Sequence, residues 1–368
     1  MQAGRILTAI LAALTLTVSC WSWPASVLGE EPSPEQEQPV LTLTQAVEKG
    51  LKHSSSVKIA DYQIESNELL RDKAAASVFY VPADGTYQDD ANAYLNLIES
   101  DIAWQQSKKS RIVTADKVIK DIYQKYFDVL LAEDALKQAQ QNRAQSNHQC
   151  QEALARFELG LISKLELNNA QIDYSQKQTL VAESQTDLEQ AYIKLNNAIG
   201  QSSTERPVLV DDSAFNPLQV DNLQQEITRI LNDSPELWLA EKNLEKAELQ
   251  NLLAPLSGSS LQPNEVQENS LSITKINTSD TKIQIIQNIE SNYYKTVQLE
   301  SQYRQAEQTC QTAQEDLRYK TLQFNLGLIA RGDLMAAEIA GDNALRSLNA
   351  LKHQHILSKM AFEKPWAS

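Results

Sequence analysis

One phrase occurs twice in this chain. Phe157-Glu-Leu-Gly-Leu-Ile-Ser-Lys-Leu-Glu-Leu167 returns as Phe324-Asn-Leu-Gly-Leu-Ile-Ala-Arg-Gly-Asp-Leu334, at an offset of 167 residues. Both copies sit between two long heptad-patterned segments. After the first phrase, Leu167, Ala170, Tyr174, Lys177, Val181, Ser184, Leu188, Ala191, Leu195 and Ala198 alternate spacings of three and four. After the second, Leu334, Ala337, Gly341, Ala344, Leu348, Leu351, His355, Ser358 and Phe362 repeat that register. Leu299, Tyr303, Ala306, Cys310, Ala313, Leu317, Lys320 and Phe324 lead into the second phrase in the same way. Sustained heptads on both sides of a Gly-containing turn predict an antiparallel coiled-coil hairpin, here made twice. The seams are rich in Ala, Ser and Gly, so they bury little area per residue. One hairpin alone is marginal, and packing into a larger assembly follows.

The turn is legible in its own right. Gly160 and Gly327 suit the left-handed residue that ends a helix. Leu161-Ile162 and Leu328-Ile329 place two large apolar residues at an exposed tip. Ser163 is positioned to cap the returning helix, with Glu166 or Asp333 in its first turn against the helix dipole. Two readings of the tip stand side by side: a well-made helical corner with its own apolar plug, and a docking surface for another helical hairpin.

The chain divides as follows. Residues 1–29 read as an export signal, with Arg5 as their sole charge and Ile6 to Val18 as a short apolar core. Thr17-Val18-Ser19-Cys20 offers a competing processing site, a lipoprotein signal ending before Cys20, which makes Cys20 a lipidation candidate. A linker at 30–40 precedes a first repeat at 41–200, a connector at 201–221 and a second repeat at 222–363. Thr42 or Thr44 caps the first helix, whose stripe is read as Val47, Leu51, Val57, Ala60, Ile64 and Leu69. Ile227, Leu231, Ser234, Leu237 and Ala240 repeat Val47, Leu51, Ser54, Val57 and Ala60 at an offset of 180. Each repeat holds an insert, at about 77–110 and about 256–281, read as non-helical with short β-strands. The strand candidates are Val78-Phe79-Tyr80-Val81-Pro82, Ala93 to Trp104 after the turn-like Ala83-Asp84-Gly85, and Leu271-Ser-Ile-Thr-Lys-Ile276. The fold class expected is therefore mainly α: tandem long antiparallel coiled-coil hairpins with short β inserts.

Chemistry is not what this composition points to. A net charge of −15 speaks against nucleic acid as a partner, because phosphate binding needs basic patches. No nucleophile elbow, P-loop or dinucleotide fingerprint occurs, so no catalytic, cofactor-binding or metal-ligating residue is assigned and the chain is read as a non-enzyme. Cys150 and Cys310 fall one heptad apart in repeat register, too far along the helix for a disulfide, and are read as seam residues. His353 and His355 are two apart, hence on different faces. His53 and His148 stand isolated, and Asp89-Asp90 reads as a solvated loop.

Several of these motifs together resemble the TolC-type outer membrane efflux family. Leu41-Thr-Leu-Thr-Gln-Ala-Val-Glu-Lys-Gly-Leu51 is similar to that family's first-helix signature, and Ser234-Pro-Glu-Leu237 to its second-copy equivalent. Arg156 to Leu167 resembles the periplasmic hairpin tip, and Leu195-Asn-Asn-Ala-Ile-Gly200 the end of the first copy. The resemblance implies a homotrimer whose subunits share a twelve-stranded barrel and an α-barrel periplasmic tunnel. It implies a passive exit duct at the outer membrane, partnered by a periplasmic adaptor and an inner-membrane transporter. Adaptor hairpins would meet the tips at Leu159, Gly160, Leu161, Ile162, Ser163 and at Leu326, Gly327, Leu328, Ile329, Ala330. Asp333 holds the place where the family narrows the tunnel entrance with acidic residues, though Ala336, one turn on, is not acidic. The chain is short for the family, above all in the inserts. The alternative is a tethered helical scaffold of the same ancestry, without a pore.

Overall fold

The computed structural model describes residues 39–78, 88–211, 213–253 and 264–367. The export signal, Cys20, most of the linker, and the segments 79–87 and 254–263 lie outside the described residues. With them lie Phe79 to Pro82 and Ala83-Asp84-Gly85.

Strand β1 (Val40–Thr42) leads into α1 (Leu43–His53) and α2 (Ser55–Ala76). Thr42 makes the expected cap: its hydroxyl accepts from Gln45 N–H at 3.3 Å, and Gln45 Oε1 accepts from Thr42 N–H at 3.2 Å. The first helix, expected to be continuous, breaks at Ser54, whose hydroxyl then caps α2 through Val57 N–H at 3.4 Å. The second repeat breaks at the equivalent place. Between α5 (Leu223–Asp233) and α6 (Pro235–Leu253), Ser234 accepts from Leu237 N–H at 3.3 Å. Pro235 takes the first helical position, where a missing N–H costs nothing.

The inserts depart from expectation. Ala93 to Trp104 belongs to α3 (Gln88–Glu158), a helix of 71 residues and about 105 Å at 1.5 Å per residue. Leu271 to Ile276 belongs to α7 (Asn264–Asn325). The alternation Leu-Ser-Ile-Thr-Lys-Ile suits a strand, but its hydroxyls bond back into the helix. Ser272 Oγ donates to Glu268 O, and Thr274 Oγ1 to Ser270 O, both at 2.9 Å. Polar residues that disfavour helices by competing for the backbone thus return their hydrogen bonds to it. Among the described residues the sole sheet is β1 paired in parallel with β2 (Val208–Val210), Leu41 opposite Leu209.

The remaining helices are α4 (Lys164–Ile199) and α8 (Arg331–Glu363), followed by a 3-10 turn at Pro365–Ala367. Helix α3 packs on α4, α7 on α8, and α3 on α8, giving a row α4–α3–α8–α7. Beyond α1 and α5, α2 packs on α3, α3 on α6 and α6 on α7. Every heptad position named above is buried or half-buried. Leu69 is the exception among the apolar positions read as inward-facing. It is exposed, and α2 instead buries Val57, Ala60 and Ala74.

The core lies where the rows meet. Tyr126, Phe127, Ile122, Leu195 and Ile199 enclose Leu41 and Leu209 of the strand pair. Ile227, Ile230, Leu237, Ile285, Ile289 and Phe362 form the corresponding cluster in the second repeat. The Tyr126 hydroxyl lies 2.8 Å from Leu41 O and accepts from Val210 N–H at 3.0 Å, tying both strands to α3.

Candidate functional site

The two turns end their helices by the same hydrogen bonds. Gly160 has φ 69° and Gly327 φ 71°, the left-handed conformation that glycine adopts without strain. Gly160 N–H donates to Phe157 O and Leu161 N–H to Arg156 O, both at 2.9 Å. Gly327 N–H donates to Phe324 O and Leu328 N–H to Gln323 O, also at 2.9 Å. This is the Schellman pattern, in which a left-handed residue returns two N–H groups to the last turn.

The returning helices begin differently. Ser163 makes a full capping box: its hydroxyl accepts from Glu166 N–H at 3.3 Å, and Glu166 Oε2 accepts from Ser163 N–H at 2.7 Å. Those bonds from the Ser163 backbone and side chain hold the Glu166 carboxyl below its ordinary range. In the second turn Ala330 has no hydroxyl to offer. Asp333 alone closes the cap, accepting from Ala330 N–H at 3.2 Å. The Asp333 carboxylate is exposed and points back to its own helix start.

The tips split each apolar pair. Leu161 and Leu328 stand 70% and 68% exposed, whereas Ile162 and Ile329 are half-buried against their hairpins. Leu159 and Leu326 are exposed too. The plug and the presented surface are thus different residues of one dipeptide. Sequence reading passed over Leu165, also exposed, which enlarges the first tip. The repeat offset could have drawn attention to it, since Gly332 stands at the equivalent place in the second copy. There Arg331 lies over the Phe324 ring at 5.8 Å and pairs with Glu338 at 3.5 Å. Cross-links between α3 and α8 bring both tips to one end. Gln138 bonds Asn343, Gln141 bonds Asp342, and Lys137 pairs with Asp342 at 3.3 Å.

The histidines read as unrelated have defined places. His353 stacks on Phe127 at 4.1 Å and meets Asp211 at 3.1 Å; His355 meets Glu300 at 3.2 Å. Glu300 also accepts from Leu218 N–H at 2.6 Å, so both pairs pin the connector to α7 and α8. Burial alone would raise the Asp211 carboxyl. Hydrogen bonds from His353, Lys352 and Ser213, with the Lys352 charge, instead hold it well below the carboxylate range. Sequence spacing hides this cluster, since Asp211 lies 142 residues from His353. Cys150 and Cys310 are free thiols, the first half-buried and the second buried. Among the described residues no group of His, Cys, Asp or Glu is arranged to hold a metal ion, and no helix is long and apolar enough to cross a membrane.

Residues 90–201 match the family model described as outer membrane efflux protein. Solved structures with this fold include the CmeC outer membrane channel of Campylobacter jejuni, at 12% identity and TM-score 0.61, covering 88% of this chain and 85% of that one. The outer membrane protein VceC of Vibrio cholerae aligns at 14% identity and TM-score 0.61, over 87% of this chain and 94% of its own. The open state of the Neisseria gonorrhoeae MtrE outer membrane channel aligns at 14% and 0.59, over 89% of each. No curated protein matches the chain in sequence. The TolC-type resemblance read from the motifs therefore holds: the chain carries an outer membrane efflux protein domain over residues 90–201 and has the helical fold of these channels.

Proposed function

We propose that this protein is a passive efflux duct of the TolC type. It acts as a homotrimer at the outer membrane, with its hairpins extending into the periplasm. A periplasmic adaptor meets the tips at Leu159, Gly160, Leu161, Ile162, Ser163 and Leu326, Gly327, Leu328, Ile329, Ala330, and an inner-membrane transporter supplies the substrate. The observation that carries this reading is the pair of matching turns at one end, each presenting leucines to solvent from a rigid backbone. Apolar anchors on preorganised turns lose little entropy on docking. The work is steric and electrostatic and requires no catalytic group. Asp333 contributes negative charge near the entrance, and the acidity of the chain favours cationic or neutral solutes.

The test is a double substitution, Leu161→Asp with Leu328→Asp, in cells that co-express the adaptor. Loss of adaptor cross-linking together with substrate retention in the cell is expected. Wild-type cross-linking and efflux would overturn the docking role.

A second reading, the tethered scaffold without a pore, is favoured by one finding: among the described residues, the strand candidates Ala93 to Trp104 and Leu271 to Ile276 are helical. Alkaline extraction of membranes carrying a Cys20→Ala variant separates the two. Retention in the pellet supports insertion by the protein itself; release, with the wild type retained, supports a lipid tether.

A further inference from the structure

Toward the end opposite the tips, α2 and α6 flank α3 and leave a trough of about 470 Å³ between them. Its floor is one face of α3, where Tyr94, Leu97, Ile98, Asp101, Ile102 and Gln105 recur at spacings of three and four. That stretch is about 16 Å long at 1.5 Å per residue. Arg71 and Ala75 of α2 form one wall, and Lys242, Glu245, Lys246 and Leu249 of α6 the other.

The trough changes character along its length. Both wall helices run antiparallel to α3, and cross-links fix their heights. Asn67 Nδ2 donates to Ala103 O at 3.4 Å, and Lys246 pairs with Glu99 at 3.3 Å. To within about one helical turn, Ala75 and Leu249 are therefore level with Leu97. With Tyr94 and Ile98 they make the far half apolar. Toward the tips the lining turns polar. Gln105 donates to Asp101 at 2.6 Å, and the Arg71 guanidinium lies 4.4 Å over the Trp104 ring. Lys108 and Lys109 continue the same α3 face one turn below Gln105. Lys108 Nζ lies 3.0 Å from the centre of the Trp104 ring, and Lys109 Nζ 5.2 Å from that of Trp238.

This polar half has more positive charge and more donors than the chain satisfies. The surrounding carboxylates are engaged: Asp72 with Arg71 at 3.1 Å, Glu245 with Lys242 at 2.5 Å, Glu99 with Lys246 and Asp101 with Gln105. Lys108 and Lys109 rest on aromatic rings, and among the described residues no carboxylate pairs with either. Arg71 Nε and Trp104 Nε1 are buried donors without an acceptor.

We propose that the trough holds one anionic phospholipid per chain. The phosphate sits at Arg71, Lys108 and Lys109, and one acyl chain lies along α3 over Leu97, Ile98 and Leu249. Free phosphate would leave the apolar half uncovered, and a plain hydrocarbon would leave the cations unmatched. The head then points toward the tips and the tail toward the far end, as for a lipid in the leaflet that faces the tips. That placement rests on the duct reading, which puts the far end at the membrane.

Native mass spectrometry of the full chain, purified in a neutral detergent, tests the site. The probes are phosphatidylglycerol and phosphatidylcholine with the same acyl chains, with glycerol 3-phosphate as competitor. One retained phosphatidylglycerol per chain, in preference to phosphatidylcholine, is the expected result. Lys108→Gln with Lys109→Gln should weaken retention about tenfold or more. Lys164→Gln with Lys177→Gln removes the same charge from α4 and should leave retention unchanged; circular dichroism checks that both variants stay helical. Equal retention of the two lipids, unchanged binding after Lys108→Gln with Lys109→Gln, or displacement by an equal concentration of glycerol 3-phosphate overturns the proposal. The same spectra count chains. Trimers that retain no phosphatidylglycerol overturn the lipid site and leave the duct; monomers that retain it overturn the duct and leave the site.

Discussion

At an offset of 167 the two repeats use the same seam with different chemistry. Ile122 and Ile289 are both fully buried. Val129 and Ala191 of the first repeat become Thr296 and Ser358 in the second, and those two hydroxyls bond each other at 2.8 Å. Tyr126 and Tyr293 also correspond. Tyr126 is buried and holds the strand pair, whereas Tyr293 is half-buried and leans on Phe362 at 5.8 Å. The backbone plan therefore tolerates an apolar pair or a self-satisfied polar pair at one place. Only the repeat that receives β1 and β2 demands a buried tyrosine hydroxyl.

Substitution at the paired tyrosines should break the symmetry most. Tyr126→Ala is expected to cost about 3–5 kcal/mol, the range for removing a buried aromatic ring. Tyr293→Ala, already half in water, should cost roughly half as much. Urea midpoints of the two variants check this; equal losses would mean that the strand pair adds nothing.

The hydroxyl pair gives the next largest effect. Thr296→Val leaves Ser358 without its partner and should cost about 1–2 kcal/mol. The double variant Thr296→Val with Ser358→Ala copies the first repeat and should recover most of that loss. A double-mutant cycle reads the coupling, and strict additivity would show that the hydroxyls act independently.

The turns come third. Ser163→Ala removes the hydroxyl cap and should cost about 1 kcal/mol, while Ala330→Ser should gain a similar amount by completing the second box. Thermal midpoints that move in the same direction for both would contradict the comparison.

The last effect is read on the acid limb and concerns the connector. Asp211 titrates below its ordinary range in the folded chain because His353, Lys352 and Ser213 bond its carboxylate. A depressed carboxyl contributes stability above its unfolded pKa of about 3.9, and that stability is lost as pH falls through the folded value. Acid unfolding of Asp211→Asn should therefore begin from a lower stability and show a shallower slope below about pH 4. A wild-type acid limb in that variant would remove Asp211 from the account.

Much of this arrangement was legible beforehand, and for a physical reason. Leu167, Ala170, Tyr174 and their heptad successors face inward because the spacing of a supercoiled seam is local. Gly160 and Gly327 take left-handed φ because the turn admits little else. The misreadings are equally specific. Leu69 was read as inward-facing, yet it borders the row, and no single-helix stripe tells a border from a core. Leu271 to Ile276 has a strand's alternation, but α6 runs alongside and the hydroxyls bond back to the α7 backbone. His353 and His355 were read only as lying on different faces, because their partners, Asp211 and Glu300, come from elements distant in sequence.

The sequence by itself determined the duplicated hairpin, its turns, its heptad seams and its likeness to efflux ducts. These depend on spacings of three, four and seven residues and on glycine at one conformation. Tertiary structure decided that Ala93 to Trp104 and Leu271 to Ile276 are helical, that Ser54 and Ser234 are breaks, and that the connector is pinned through carboxylate–histidine pairs. Those outcomes depend on which neighbour lies alongside. A hydroxyl, a histidine or an alternating apolar run takes its role from the group that meets it, and chain spacing does not encode that meeting.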